Sequence, residues 1–465
     1  MRLNISLNLN EIAGAVKGDI LNNSDIEIKN ISTDSRDISE GCLFVALKGE
    51  IYDGHDFTAQ AVENGAVAVI INKDYDFENT SVIIIKVDKT EQAFLDLAKY
   101  YKSKFEIDLT VGITGSAGKT TVKEFMHAVL AQKYKTRKTA ANFNTEVGLP
   151  KTIFDLQADE RALVLEMGMN SFGEISRLSR TAEPDISVIN NIGTAHIENL
   201  GSREGIKKAK FEILDGMRDD ACIILNADDP FLYSEKAKTG RREYYFGINN
   251  KNADFTAEDI SFDYVKNESY FKIGGFKFKI PAVGLHNISN AMPAYIAGKI
   301  CGLSDGLIQA GFNNFENAKM RQNIYDFNGI IIIDDCYNSN KEAVLAAFDV
   351  LCGIAEKTGG YKTAVLADIL ECGDYAEEIH RQIGEAAVER NIGLYLYGEN
   401  SKATFDSVIK SGGGCYDCFY SPDKSGIAEM IYGEGLKKGD VILFKASRGM
   451  AMETVLEDFK KLFDY

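Results

Sequence analysis

No stretch of 18 or more apolar residues occurs in the 465-residue chain, so no segment has the length and character of a membrane-spanning helix. The first residues, MRLNISLNLNEIAG, lack the apolar core and small-residue cleavage site of a secretion signal, and the cytoplasm is the expected location. Positive charge is scarce: 52 Lys and Arg stand against 69 Asp and Glu, a formal net charge of −17. That balance argues against a surface that coats nucleic acid, and any cations that bind phosphate must be gathered locally. Cysteine pairing is sparse too. Of eight cysteines only Cys415 and Cys418 form a C-x-x-C, half a zinc site at most, and all eight are read as reduced, incidental thiols. There is no guanine-reading N-K-x-D tetrad, no short-period repeat and no low-complexity tract.

What is present is an ordinary globular composition, 45% apolar and 26% charged, on a chain long enough for two or three domains. Residues 1–107 alternate short apolar strands (CLFVALKG, AVAVII, SVIIIKV) with helical patterns and end in the helix EQAFLDLAKYYKSKF. Residues 108–317 form a βα series in which LTVGITG, ALVLEMG, DISVINNIG and ACIILNADD are the strands. From 318 to 465 the rhythm restarts with GIIIIDDCYN, TAVLADIL, IGLYLYG and VILFKASRG. Near-continuous apolar strands separated by helices predict parallel sheets covered on both faces. The expected fold is α/β throughout, in three parts.

The most informative segment is TVGITGSAGKTTVKEF, Thr110–Phe125. It joins an apolar strand, a glycine-rich turn and an amphipathic helix, the arrangement in which backbone amides and a helix N-terminus converge on a phosphate. The long Walker pattern fails by one residue, because Ile113 stands where glycine is required and Gly112 comes one place early. Gly115 and Gly118 permit close backbone approach, Lys119 is placed to reach terminal phosphates, and the Thr120 hydroxyl is a candidate Mg²⁺ ligand. Glu166 ends the strand ALVLE, where open α/β sheets gather their ligands, and is the second candidate for Mg²⁺. His196 follows a buried strand into a polar turn; by itself it reads equally well as a surface histidine. In SREGIKKAKFEILDGM, read as one helix, Ile206, Ala209, Ile213 and Met217 share a face, and Lys210 lies on that stripe. Lys207 and Lys208 are expected on exposed faces. Lys210 is either a snorkelling stem or a buried amine that needs a partner or a chemical change.

GITGSAGKTTVKE, TAANFNTEVGLP, LEMGMNSFGEI, NIGTAHIENLGSREGIKKAKFEIL, GLHNISNA, IIDDCYNSN, LADILECGDYAEEIH and FKASRGMAME resemble, in order, the signatures of the Mur ligases. The similarity runs from ISTDSRDISEGCLFVALKGEIYDGHDF near residue 31 to the C-terminus, and the family's shorter G-x-x-G-K-T loop accounts for Ile113. The resemblance implies three domains: one for the UDP end of a substrate, a central ATP-binding domain and a Rossmann-like domain for the amino component. In the branch with the most similar motifs, it implies ATP-dependent joining of D-alanyl-D-alanine to UDP-N-acetylmuramoyl-tripeptide through an acyl phosphate, a step in peptidoglycan precursor synthesis. A monomer is expected, and whether the tripeptide ends in diaminopimelate or lysine stays open.

Carried over residue by residue, the resemblance assigns Lys119 and the loop Gly115, Ser116, Ala117, Gly118, Thr120 and Thr121 to the ATP phosphates. It assigns Thr120 and Glu166 to a first Mg²⁺, and His196 with a carbamylated Lys210 to a second. Asn287 falls on the adenine side, and Arg321 and Asp335 fall near the phosphates and ribose. Arg448 is assigned to the dipeptide carboxylate, and Ser35, Arg36, Asn142, Asn144 and Thr145 to the UDP-sugar-peptide path. Ala117, Leu285 and Ala446 depart from the usual family residues; at Ala117 the departure is in the side chain, whereas the phosphates are assigned to the backbone of the loop. A sister ligase adding one amino acid and a folylpolyglutamate synthetase share the loop and the lysine. Neither carries the forms EMGMN…GEI and DDCYNSN. A P-loop switch is the reading from another class.

Overall fold

The computed structural model describes residues 1–22, 24–49, 51–411 and 418–463, so the expectation for Cys415 lies outside the described residues. Contacts divide the chain into two units, Met1–Thr114 with Lys133–Ser187 and Glu212–Cys222, and Gly115–Gln132 with Val188–Phe211 and Ile223–Tyr465. No helix of the described residues is long and apolar enough to cross a membrane.

The first unit holds a six-stranded sheet. Its four inner strands, Glu27–Ser32, Cys42–Val45, Ala68–Asn72 and Ile83–Val87, run parallel, and the antiparallel strands Arg2–Asn8 and Asp19–Leu21 close its edges. Cys42–Val45 is buried at every position, as expected of a strand covered on both faces. The helix Thr90–Lys102 buries Phe94, Leu97, Ala98 and Tyr101. The Tyr101 hydroxyl accepts from the amides of Asn4 at 2.8 Å and Ile5 at 3.2 Å, which ties the first strand down. The same unit contains the parallel strands Leu109–Thr114, Ala162–Glu166 and Thr136–Lys138.

In the second unit the last six strands form a sheet in the order Asn323–Phe327, Ile330–Asp335, Val441–Lys445, Lys362–Ala367, Gly393–Tyr397, Cys418–Ser421. All neighbours are parallel except the first pair. Successive residues sort to opposite faces: Ile333, Leu366 and Leu443 pack with Phe348 of the helix Lys341–Thr358. Ile332, Val365 and Phe444 pack with Phe459 of the helix Met452–Lys461. Both faces are apolar, which is why these strands read as unbroken apolar runs.

Three features differ from expectation. An antiparallel meander, Glu258–Asp263, Glu268–Ile273 and Phe276–Ile280, interrupts the βα series. Its second turn is Gly274–Gly275 with φ of 55° and 86°, the paired positive φ of a tight hairpin turn, and KIGGFKF carried that signal. The helix expected to run through to Met217 is α-helical only over Arg203–Phe211 and tightens to a 3-10 turn over Glu212–Gly216. There the Ser179 hydroxyl donates to the Ile213 carbonyl at 2.5 Å, and a Cβ at Gly216 would stand 2.0 Å from the Ser179 carbonyl oxygen. Finally, Lys207 is not on an exposed face. Its side chain is held between Glu204 and Glu235, the latter at 2.9 Å, whereas Lys208 is exposed as expected.

Candidate active site

The glycine-rich turn leads into the helix Lys119–Leu130, whose N-cap is Gly118 in the left-handed region with φ 79°. A Cβ there would stand 2.4 Å from Asn290 Oδ1 and 2.6 Å from Asn190 Nδ2, two buried amides that hydrogen-bond each other at 2.8 Å. Only glycine satisfies both the dihedral and the space. The loop is braced: Asn191 accepts from the Ser116 amide at 3.1 Å through its carbonyl and from the Ala117 amide at 2.8 Å through its side chain. These two amides, expected to face a phosphate, are engaged by protein here. Lys119 Nζ donates to the Gly115 carbonyl at 2.8 Å, folding the lysine over the loop. Gly118→Ala should therefore weaken ATP binding more than tenfold while the protein stays folded, as measured by calorimetry and circular dichroism. Unchanged affinity would remove the phosphate-loop assignment.

Two cavities within the second unit use this loop. One, of about 170 Å³, is lined by Gly118, Thr121, Asn287, Arg321 and Asp335, so the structure unites the residues expected around a nucleotide. Asn287 Nδ2 donates to the Val283 carbonyl at 2.9 Å, and the Arg321 guanidinium lies 4.1 Å from the centre of the Tyr337 ring. Asp335 and Lys445 are register partners on adjacent strands, and their side chains pair at 2.6 Å. The other Asp335 oxygen accepts from the Gln322 amide at 3.2 Å. Lys445 and Gln322 were not singled out from the sequence. The lysine is one residue of KASR, and only strand pairing reveals that it faces Asp335.

The other cavity, also about 170 Å³, is lined by Lys119, His196, Arg448, Ser339, Asn340 and Glu371. His196 adopts a left-handed conformation, φ 62°, at the start of the short helix Ile197–Leu200. Its Nδ1 lies 2.6 Å from Glu371 Oε2. The His196 ring holds the Glu371 carboxyl below the usual carboxylate range, against the opposing effect of burial. Arg448 is half exposed and pairs with Glu453 at 2.8 Å. Glu371 belongs to the motif LADILECGDYAEEIH, where nothing local marks it out; proximity in the fold alone connects it to His196.

Lys210 is fully buried, 1% exposed, like Ile206, Ala209, Ile213 and Met217. The snorkelling alternative is thereby excluded. Among the described residues no hydrogen bond or ion pair involves its amine. Burial first, and then the positive charge of Lys119, push it well below the ordinary lysine value.

In the first unit Glu166 is buried at the end of its strand, and its carboxylate accepts from Asn144 Nδ2 at 2.9 Å. The remaining residues expected on the UDP-sugar-peptide path are dispersed. Ser35 donates to Gln60 Oε1 at 2.8 Å, and Arg36 chelates Asp34 with bonds of 2.9 and 2.7 Å. The Thr145 hydroxyl accepts from the Gly148 amide at 3.2 Å, and Asn142 is exposed. A cavity of about 370 Å³ lies beside them, lined by their neighbours Asp34, Phe143, Lys151 and Arg137.

No group of three or more His, Cys, Asp or Glu side chains that could hold a metal occurs among the described residues. The expected Mg²⁺ ligands have a different character: a hydroxyl, a buried carboxylate, an imidazole and a lysine that becomes anionic only as a carbamate. The hydroxyl and the carboxylate suit Mg²⁺, which takes one or two carboxylates and fills its shell with phosphate and water, whereas the imidazole is a nitrogen donor outside that preference. The buried, unpartnered Lys210 amine fits carbamate formation. The seven described cysteines, Cys418 among them, are free thiols, and burial pushes Cys418 up to about 12.

Three sequence profiles match consecutive parts of the chain: the Mur ligase family, catalytic domain over residues 27–102; the Mur ligase middle domain over 113–298; and the Mur ligase, glutamate ligase domain over 320–448. UDP-N-acetylmuramoyl-tripeptide--D-alanyl-D-alanine ligase of Bacillus subtilis (strain 168) is 37% identical over 465 residues, 98% of each chain. A crystal structure of MurF from Acinetobacter baumannii superposes with a TM-score of 0.89 at 28% identity, covering 99% of this chain and 100% of that one. The MurF ligase from Thermotoga maritima in complex with ADP gives 0.82 at 29% identity, covering 94% and 98%. Three consecutive domain matches and a full-length relative at 37% identity establish that the chain belongs to the Mur ligase family.

Proposed function

We propose that this chain joins D-alanyl-D-alanine to UDP-N-acetylmuramoyl-tripeptide at the expense of ATP, giving the UDP-pentapeptide, ADP and phosphate. The observation that carries the reading is the cavity shared by Lys119, His196 and Arg448. Lys119 and Arg448 line the same cavity, and a guanidinium is suited to a carboxylate, which supports the reading. The names of full-length relatives support the substrates. Within that reading residues 1–107 take the UDP end, 108–317 take ATP and 318–465 take the dipeptide. The protein works in the cytoplasm as a monomer.

The chemistry is phosphoryl transfer followed by acyl transfer. A tripeptide carboxylate oxygen attacks the γ-phosphorus, the bond to the β,γ-bridging oxygen breaks, and ADP leaves. The dipeptide amine then attacks the acyl carbon, the bond to phosphate oxygen breaks, and phosphate departs as the amine loses its proton. The Lys119 ammonium offsets charge on the transferred group, and the loop and Arg448 orient the reactants. Thr120 and Glu166 would hold one Mg²⁺, and His196 with carbamylated Lys210 a second. Bound magnesium supplies positive charge to the phosphate oxygens. Asn287, Arg321 and Asp335 hold the nucleoside, and Ser35, Arg36, Asn142, Asn144 and Thr145 belong to the UDP-substrate path.

The test is ADP release by the purified chain with ATP, Mg²⁺, D-alanyl-D-alanine and UDP-tripeptides ending in diaminopimelate or lysine. Turnover should require both tripeptide and dipeptide. Steady hydrolysis without an acceptor would point to a nucleotide switch, and turnover with a single amino acid would point to a sister ligase. Arg448→Ala should raise the KM for D-alanyl-D-alanine at least tenfold and that for ATP less than twofold. A C-terminally amidated dipeptide should lose little more in this variant, because both changes remove one interaction. Additive losses would put the carboxylate elsewhere.

A further inference from the structure

His196 occupies a left-handed backbone conformation that is strained for a non-glycine residue, and such strain persists only where neighbours enforce it. Its ring is met by Glu371. Its loop, residues 193–196, is met by something else. The helix Lys341–Thr358 begins at Asn340, whose side chain caps it by accepting from the Ala343 amide at 2.9 Å. Asn340 Nδ2 also donates to the Ser116 carbonyl of the phosphate loop at 3.3 Å, and the Ser116 hydroxyl accepts from the Gly193 amide at 2.9 Å. In the first turn of that helix, Glu342 Oε2 accepts from the Thr194 hydroxyl at 3.1 Å. The carboxylate packs against Gly193: a Cβ built there would stand 3.0 Å from both Glu342 Cδ and Oε2. Glu342 also lines the nucleotide cavity with Gly118 and Thr121.

A carboxylate beside a phosphate loop does not favour nucleotide binding, since like charges repel. Its directed contact is with Thr194, two residues before His196. We propose that Glu342 is a positioning residue that, through Thr194 and the bare Cα of Gly193, sets the loop presenting His196. It thereby couples the third-domain helix to the phosphate-loop site. This rests on the ligase reading above. Because the device needs an acceptor oxygen rather than a charge, the amide of glutamine can replace it, whereas alanine cannot.

The experiment compares Glu342→Ala, Glu342→Gln, Thr194→Val and the double variant Thr194→Val/Glu342→Ala in the full chain. Ligation is followed by ADP release. Glu342→Ala should lower kcat about tenfold with the KM for ATP unchanged or lower, and Glu342→Gln should stay within about twofold of the unmodified protein in kcat. Thr194→Val should match Glu342→Ala, and the double variant should lose no more than either single one. Hydrogen exchange without nucleotide, substrate or metal supplies a readout independent of turnover. Amides around residues 194–198 should exchange several-fold faster in Glu342→Ala and at the original rate in Glu342→Gln. Additive losses, an inactive Glu342→Gln, unchanged exchange, or a raised KM for ATP with normal kcat would each overturn the inference. Failure of the unmodified chain to ligate would instead overturn the proposed function, and the exchange measurement would still decide whether Glu342 orders the loop.

Discussion

Lys119→Ala should abolish ATP-dependent ligation in a protein that remains folded. The residue opens a helix, its side chain lines a cavity, and its hydrogen bond to Gly115 O closes back on its own loop. The variant is therefore expected to keep its fold. In the proposed reaction it meets charge as a phosphoryl group transfers, and losing such a preorganised contact costs on the order of 3 kcal/mol or more in the barrier. That corresponds to a fall in kcat of roughly 150-fold. Circular dichroism and thermal melting should match the unmodified protein. Activity within threefold of it would reject the phosphate-loop assignment.

Lys210→Ala should be comparably severe, for a different reason. Burial disfavours the ammonium, and the Lys119 charge acts in the same direction, so the amine gives up its proton more readily than an ordinary lysine. On the proposed reading the deprotonated amine takes up CO₂ and loses a further proton to become a carbamate, an anion suited to a magnesium site. Lys210→Ala should lose most activity, and formate or acetate should restore part of it by filling the vacated anion position. Lys207 lies three residues earlier and is held by Glu204 and Glu235 as an ordinary ammonium, raised above the usual lysine value by those carboxylates. Lys207→Ala should therefore gain nothing from the same acids. A Lys210→Ala enzyme of near-normal rate, or equal rescue of both variants, would reject the carbamate.

The sequence was most legible where chemistry restricts the choice of residues. At Gly118 the left-handed dihedral and the two asparagines leave no alternative to glycine, so the strand, turn and helix around it can be read from letters alone. Lys210 stood out because an amine on an apolar stripe is a conflict visible in periodicity. The conflict itself left two outcomes open, and only the depth of burial chose between them. Lys207 shows the opposite case. Its helical phase predicts solvent, but Glu235, 28 residues away in sequence, reaches over it. The Gly-Gly hairpin was legible in principle, but a reading tuned to apolar runs passes over strands whose burial alternates.

By itself, then, the sequence determined the elements whose cause is local: doubly covered strands from apolar runs, the phosphate loop from glycine and lysine spacing, and the family from motifs in order along the chain. Tertiary structure alone decided which distant residues share a cavity. Lys445 reaches Asp335 because parallel strands bring them into register. Glu371 reaches His196, and Glu342 reaches Thr194, because a helix start and a strand end 148 to 175 residues away fold onto one loop. A carboxylate's partner depends on distance in space, and sequence separation says nothing about that distance until sheet order and crossover connections are known.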